Sequence, residues 1–85
     1  MLELEKTRID KWLWAIRIYK TRSLASEACA AGKIKIEGDT VKASYCIKPG
    51  QTIHINRQGE KKILKVVKLI EKRVVAPLAA TCFEE

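Results

Sequence analysis

The side chains able to do covalent or acid–base chemistry are few and scattered: one histidine, His54, two aspartates, Asp10 and Asp39, and three cysteines, Cys29, Cys46 and Cys82. No nucleophile is patterned with the histidine, and no glycine-rich loop is spaced to cradle a phosphate. Four glycines in 85 residues and a chain this short offer no obvious deep pocket. An enzyme is therefore not expected, nor a cofactor. The cysteines are odd in number and irregularly spaced, unlike the short paired spacings of structural zinc sites or the even set of a disulfide framework. They read as reduced thiols, two of them partly buried, and no metal site is expected from them with His54.

Binding chemistry is better represented. Arg17, Lys20, Thr21, Arg22 and Ser23 fall where one helix ends and the next begins, so their side chains project together beside the free N–H groups of a helix start. Guanidinium forks match phosphate oxygens, ammonium adds a point charge, and hydroxyls donate hydrogen bonds. The plainer alternative is a solvated helix end in which Thr21 or Ser23 serves as the cap. The charge distribution favours the first reading: 17 Lys and Arg stand against 10 Asp and Glu for a net +7. Ten basic and four acidic residues lie between Lys6 and Lys48, and seven basic and two acidic between Arg57 and Arg73. A basic body of this kind attracts a polyanion, nucleic acid first and an anionic membrane surface second.

The elements that must position this junction are legible from periodicity. Ile9, Trp12, Leu13, Ile16 and Lys20 share one helical face, which predicts a helix over Arg8–Tyr19 with that face toward the core. Arg8, Lys11, Ala15 and Ile18 then fall on the opposite side, with Trp14 and Arg17 on the flanks. Trp14 is placed either to stack on a base or to be covered by the C-terminal segment, and Asp10 reads as a local helix-start carboxylate. A second helix runs from Leu24 to Ala31 and stops at Gly32, with Leu24, Ala28 and Ala31 on the face toward the first helix.

Beyond Gly32 the period becomes two. Ile34 and Ile36 alternate with Lys33 and Lys35, Glu37-Gly38-Asp39 turns the chain, and Val41 and Ala43 form the return strand. Lys48-Pro49-Gly50-Gln51 fits a type II turn, Thr52–Ile55 a further strand with His54 half-exposed, Asn56–Gly59 a turn, and Ile63–Ile70 a last strand. The tail either opens a short helix at Pro77 running through Phe83 or packs extended. The expected fold class is α+β: two N-terminal helices packed on a small, twisted, mostly antiparallel sheet of about four strands.

The run Arg8-Ile9-Asp10-Lys11-Trp12-Leu13-Trp14, then Arg17, Lys20-Thr21-Arg22-Ser23-Leu24-Ala25, Gly32-Lys33, Gly38 and Lys48-Pro49-Gly50 closely resembles the RNA-binding domain named after ribosomal protein S-four. Within that superfamily it is most similar to the bacterial ribosome-associated heat-shock class of fifteen kilodaltons. The resemblance implies the alpha-L RNA-binding motif, structured rRNA or tRNA as partner, and a place on large ribosomal subunits that still hold a stalled nascent chain. It implies RNA-facing roles for Arg8, Lys11, Arg17, Lys20, Thr21, Arg22 and Ser23, and further out for Lys33, Lys35 and Lys42. The family usually has Asn before the hairpin glycine, where this chain has Glu37.

The chain is expected to divide into an N-terminal lead (1–7), the RNA-binding domain (8–55), and a strand and tail (56–85) completing that domain. The N-terminus lacks a basic start followed by an apolar stretch, and no apolar run approaches membrane length, so a cytoplasmic monomer is expected. Two rival functions remain at this point. One is an accessory module for RNA modification; the other is a protein-interaction module using Trp14, Val74, Val75 and Phe83.

Overall fold

The computed structural model describes residues 6–57 and 59–85; most of the expected N-terminal lead and the Gln58 position of the Asn56–Gly59 turn lie outside the described residues. The elements in chain order are β1 (Thr7–Arg8), α1 (Ile9–Ala15), α2 (Arg22–Ala30), β2 (Ile34–Ile36), β3 (Asp39–Thr40), β4 (Cys46–Ile47), β5 (Thr52–Arg57), β6 (Glu60–Val66), α3 (Ala76–Ala79) and β7 (Phe83–Glu84). Strands β3-β2-β5-β6-β7 form one sheet in that order, every pair antiparallel, and β1 pairs with β4 in a separate ribbon. The fold is α+β, with helices packed on an antiparallel sheet. It has more strands than the roughly four expected, because β1, β4 and β7 are two-residue pieces too short to leave a periodic signature.

The core is continuous across the two layers. Ile9, Trp12, Leu13 and Ile16 from the first helix meet Ile34, Ile36, Ile53, Ile55, Leu64 and Val66 from the sheet. Trp12 is fully buried, and its indole N–H donates to the Lys68 carbonyl at 2.9 Å, so the one polar atom of that side chain is satisfied by the C-terminal segment.

Helix α1 stops four residues earlier than periodicity predicts. Arg17 N–H donates to the Trp14 carbonyl and Ile18 N–H to the Leu13 carbonyl, at 3.0 and 3.1 Å, the paired bonds of a Schellman ending. Arg17 occupies its left-handed position, φ 68°. This termination swings Ile18 inward to 6% exposure and takes Lys20 off the helical face altogether. Ala15, expected to face outward, is also buried, because the segment after Leu69 crosses it and Val74 N–H reaches the Ala15 carbonyl.

Helix α2 is capped by Thr21, whose Oγ1 accepts from the Leu24 N–H at 3.1 Å, and it ends at Gly32 with φ 75°. Its inward residues are Ala25, Ala28 and Cys29. Leu24 is 44% exposed and Ala31 is exposed, so the small-residue face is rotated from the expected one.

The β2–β3 hairpin has the two-residue turn Glu37-Gly38, both at positive φ, and its return strand ends at Thr40 without reaching Val41 or Ala43. The Lys48–Gln51 turn forms with Gly50 at φ 93° and a 3.3 Å bond from Gln51 N–H to the Lys48 carbonyl. Strand β6 begins before Ile63 and ends at Val66 instead of Ile70. The tail combines the two alternatives: a short helix forms at Pro77 but ends at Ala79, short of Phe83, which lies in the extended β7.

Candidate nucleic-acid interface

The junction between α1 and α2 is organised around Asp10. This carboxylate lies in the first turn of α1 and its side chain is 5% exposed. A buried charge requires partners, and it has three. Arg8 donates in fork geometry, Nε to Oδ1 and Nη2 to Oδ2, each at 3.2 Å; the Lys11 N–H donates at 2.7 Å; and Arg22 Nη2 lies 3.6 Å from Oδ2. Asp10 is thus more than the helix-start residue that the sequence suggests, since it ties the lead into α1 to the start of α2. Arg8 and Arg22 keep 49% and 44% of their side chains exposed, so both remain open to an anion from solvent.

The other junction residues are held by backbone geometry. Arg17 projects from its left-handed turn, and its Nη1 makes only a long 3.4 Å contact with the Val74 carbonyl. Lys20 is exposed, and its carbonyl accepts from Arg73 Nη1 at 2.6 Å, which ties the junction to the C-terminal segment. Thr21 uses its oxygen as the helix cap, leaving the hydroxyl proton available to an acceptor. Ser23 is exposed in the first turn of α2, lining a shallow depression with Asp10, Arg22, Ser26 and Glu27.

The remaining candidates divide. Lys20 and Lys33 share a cleft of about 410 Å³ with Tyr19, Leu24, Glu27 and Arg57. Lys33 and Lys35 line a second groove of about 230 Å³ with His54, Lys61 and Lys62, on the exposed face of the central strands β2, β5 and β6. Lys33 therefore joins the junction to the sheet. Lys11 instead turns toward Glu71, 3.7 Å away, and Lys42 lies apart in a hollow beside Glu37, Asp39 and Tyr45. Lys20, Lys33 and Lys35 thus line connected surfaces, while Lys11 and Lys42 lie away from them. Trp14 is half-buried and His54 is exposed.

Arg57, Arg73, Lys61 and Lys62 belong to these surfaces and were not among the sequence candidates. For Arg57 a signal existed: it shares the alternation phase of Ile53 and Ile55, which carries it to the core side at the strand's end. There its guanidinium lies 5.7 Å from the centroid of the Tyr19 ring, close enough for a cation–π contact. Burial pushes the Tyr19 phenol above its ordinary range, with Arg57 opposing and Cys29 adding to the shift. Burial likewise pushes the Cys29 thiol up to about 11, with Asp10 adding to it. Cys29 and Cys82 are buried and Cys46 half-exposed, all three free. Among the described residues no cluster of His, Cys, Asp or Glu could hold a metal ion, and no helix is long and apolar enough to cross a membrane.

Comparison with known proteins places the junction within a recognised family. A family profile described as S4 domain matches residues 7–53. The chain is 38% identical over 80 residues to a heat shock protein 15 homolog of Aeromonas salmonicida, covering 94% of this chain and 61% of that protein. It is 34% identical over 77 residues to the RQC P-site tRNA stabilizing factor of Halalkalibacterium halodurans, covering 91% and 86% of the two chains. The chain spans about three-fifths of the length of the heat shock protein 15 relatives. Among solved structures, trimeric heat shock protein 15 of Vibrio cholerae superposes with a TM-score of 0.89 at 36% identity, over 94% of this chain and 81% of that one. That relative is a trimer, so the monomer expected from the sequence finds no support in it.

Proposed function

The chain belongs to the S4 domain family, and on that premise we propose that it is a non-catalytic RNA-binding protein that grips the phosphate backbone of structured rRNA or tRNA. The observation that carries this reading is the α1–α2 junction, where Arg8 and Arg22 converge on one buried carboxylate and Lys20 opens onto a cleft shared with Lys33. Pre-positioned guanidinium groups lose less freedom on meeting a phosphate than free ones, and each charge-assisted contact is worth about 1.5–3 kcal/mol. The RNA-facing set is Arg8, Arg17, Lys20, Thr21, Arg22 and Ser23, continued by Lys33 and Lys35, with Lys11 and Lys42 peripheral.

The relative named as an RQC P-site tRNA stabilizing factor supports a setting in ribosome quality control. On this reading the protein works there in the cytoplasm, on a large ribosomal subunit carrying a stalled nascent chain, where it positions peptidyl-tRNA or an rRNA helix. Residues 8–55 form the RNA-binding domain and 56–85 complete it; the single core to which both parts contribute supports their belonging to one unit. The protein-interaction alternative has Val75 and Leu78, 61% and 56% exposed, in its favour. Trp14, Val74 and Phe83 are half-buried, which weakens the patch.

The test is co-sedimentation with large ribosomal subunits, with and without nuclease, for two triple variants. Arg17, Lys20 and Arg22 changed to Ala should weaken binding by about a hundredfold or more, because three charge-assisted contacts are lost. Lys48, Lys65 and Lys72 changed to Ala remove the same charge from exposed positions elsewhere and should change it only a few-fold. Equal losses in the two proteins would show that charge alone, without the junction, governs binding. Nuclease-resistant binding would favour the protein partner.

A further inference from the structure

The cleft between α2 and the end of β5 has a composition that a backbone clamp does not need. Lys20, Lys33 and Arg57 open onto it, and among the described residues none of the three forms an ion pair. On its α2 wall stand Leu24, 44% exposed, and Glu27, an exposed carboxylate that is likewise without an ion-pair partner among the described residues. Arg57 is steadied over the Tyr19 ring. At about 410 Å³ the cleft lies within the range that small ligands occupy, roughly 300–1,000 Å³.

A site that only held phosphate would gain nothing from an exposed leucine and would be weakened by a carboxylate. A nucleotide uses all of them. Its phosphate takes the lysines, its base lies against Leu24 and the guanidinium plane of Arg57, and its Watson–Crick edge meets an acceptor. Glu27 accepts hydrogen bonds only, and guanine presents two adjacent N–H donors on that edge where uracil presents one. We propose that this cleft receives a single unstacked nucleotide of the bound RNA, with guanine preferred through Glu27. The inference rests on the RNA-binding reading above and deepens it: the junction holds the backbone, and the cleft selects an RNA that offers an extruded base.

The test is direct binding of short RNA hairpins that are fully paired, or that carry one bulged G or one bulged U. The wild-type chain should bind the bulged-G hairpin about tenfold more tightly than the paired one, with bulged U between them. Ala31→Trp fills the cleft from an exposed position at the end of α2, and it should abolish the preference for a bulge while leaving affinity for the paired hairpin within about twofold. Arg57→Ala, on an exposed side chain, should weaken the same preference and provides a second route should the tryptophan disturb folding. Glu27→Gln should remove the advantage of G over U and keep that of bulged over paired RNA. Equal wild-type affinity for all three hairpins, or a bulge preference surviving in Ala31→Trp, overturns the nucleotide site and leaves the backbone clamp standing. An unchanged G preference in Glu27→Gln overturns the role of that carboxylate. Failure to bind any hairpin overturns the functional reading itself and this inference with it.

Discussion

Arg17 sits at φ 68°, a conformation in which the Cβ of an L-residue crowds the following carbonyl at a cost of roughly 1–2 kcal/mol. Helix endings of this kind ordinarily use glycine. Replacing Arg17 by Gly removes the crowding, while the extra freedom of glycine in the unfolded chain takes back roughly 0.5–1 kcal/mol. The net expectation is a gain of about 0.5–1 kcal/mol. The lost contact to the Val74 carbonyl is 3.4 Å long and exposed, so it subtracts little. For a domain of this size the gain corresponds to a rise in Tm of about 3–6 °C. RNA affinity should move the other way, by about ten- to a hundredfold, if the guanidinium meets a phosphate. Arg17→Ala separates the two effects, since it loses the same charge and keeps the strain. Urea unfolding followed by circular dichroism, alongside binding to large subunits, gives both quantities for each variant. A glycine variant no more stable than the alanine one would refute the strain argument, and wild-type affinity in both would refute the contact.

Among the described residues Glu37 is the other non-glycine residue at positive φ, 54°, at the first turn position of the β2–β3 hairpin, where Asn is favoured. Glu37→Asn should stabilise the protein by about 0.5 kcal/mol in urea unfolding, and a loss of stability would contradict the turn geometry. Affinity for large subunits should fall roughly tenfold or more between 50 and 200 mM salt if three or more phosphates are neutralised, and a flat response would exclude backbone contacts. In the native protein a thiol reagent should modify Cys46 first, with buried Cys29 and Cys82 reacting only on unfolding. Because burial raises the Cys29 thiol from 9.0 to about 11, its contribution to stability is complete below about pH 9 and is lost as pH rises through 11. Cys29→Ala should flatten that alkaline decline, and an unchanged slope would assign it to other groups.

Periodicity and turn chemistry are local, and what they determine could be read from the residues alone. The core face Ile9-Trp12-Leu13-Ile16, the helix stop at Gly32, the turn at Gly50, and the alternation of Ile34, Ile36, Ile53 and Ile55 all appear in the structure as the sequence implies, and of the two cap candidates, Thr21 and Ser23, it is Thr21 that caps α2. The family motif likewise lies in contiguous residues, and with it the junction where cations gather. Tertiary structure decided what those cations meet. That Asp10 joins Arg8 to Arg22 depends on how α1 packs against α2, and that Lys11 is drawn to Glu71 and Arg73 reaches the Lys20 carbonyl depends on segments far apart in sequence. The early end of α1 shows the same limit. Hydrophobic spacing continues through Ile16, yet the helix stops at Ala15 because the chain gains more by turning Ile18 inward and lodging the C-terminal segment against Ala15 than by adding another turn. The cleft bearing Glu27 and Arg57 has no sequence signature, since its walls are a helix and a strand end brought together only when the sheet closes over the core.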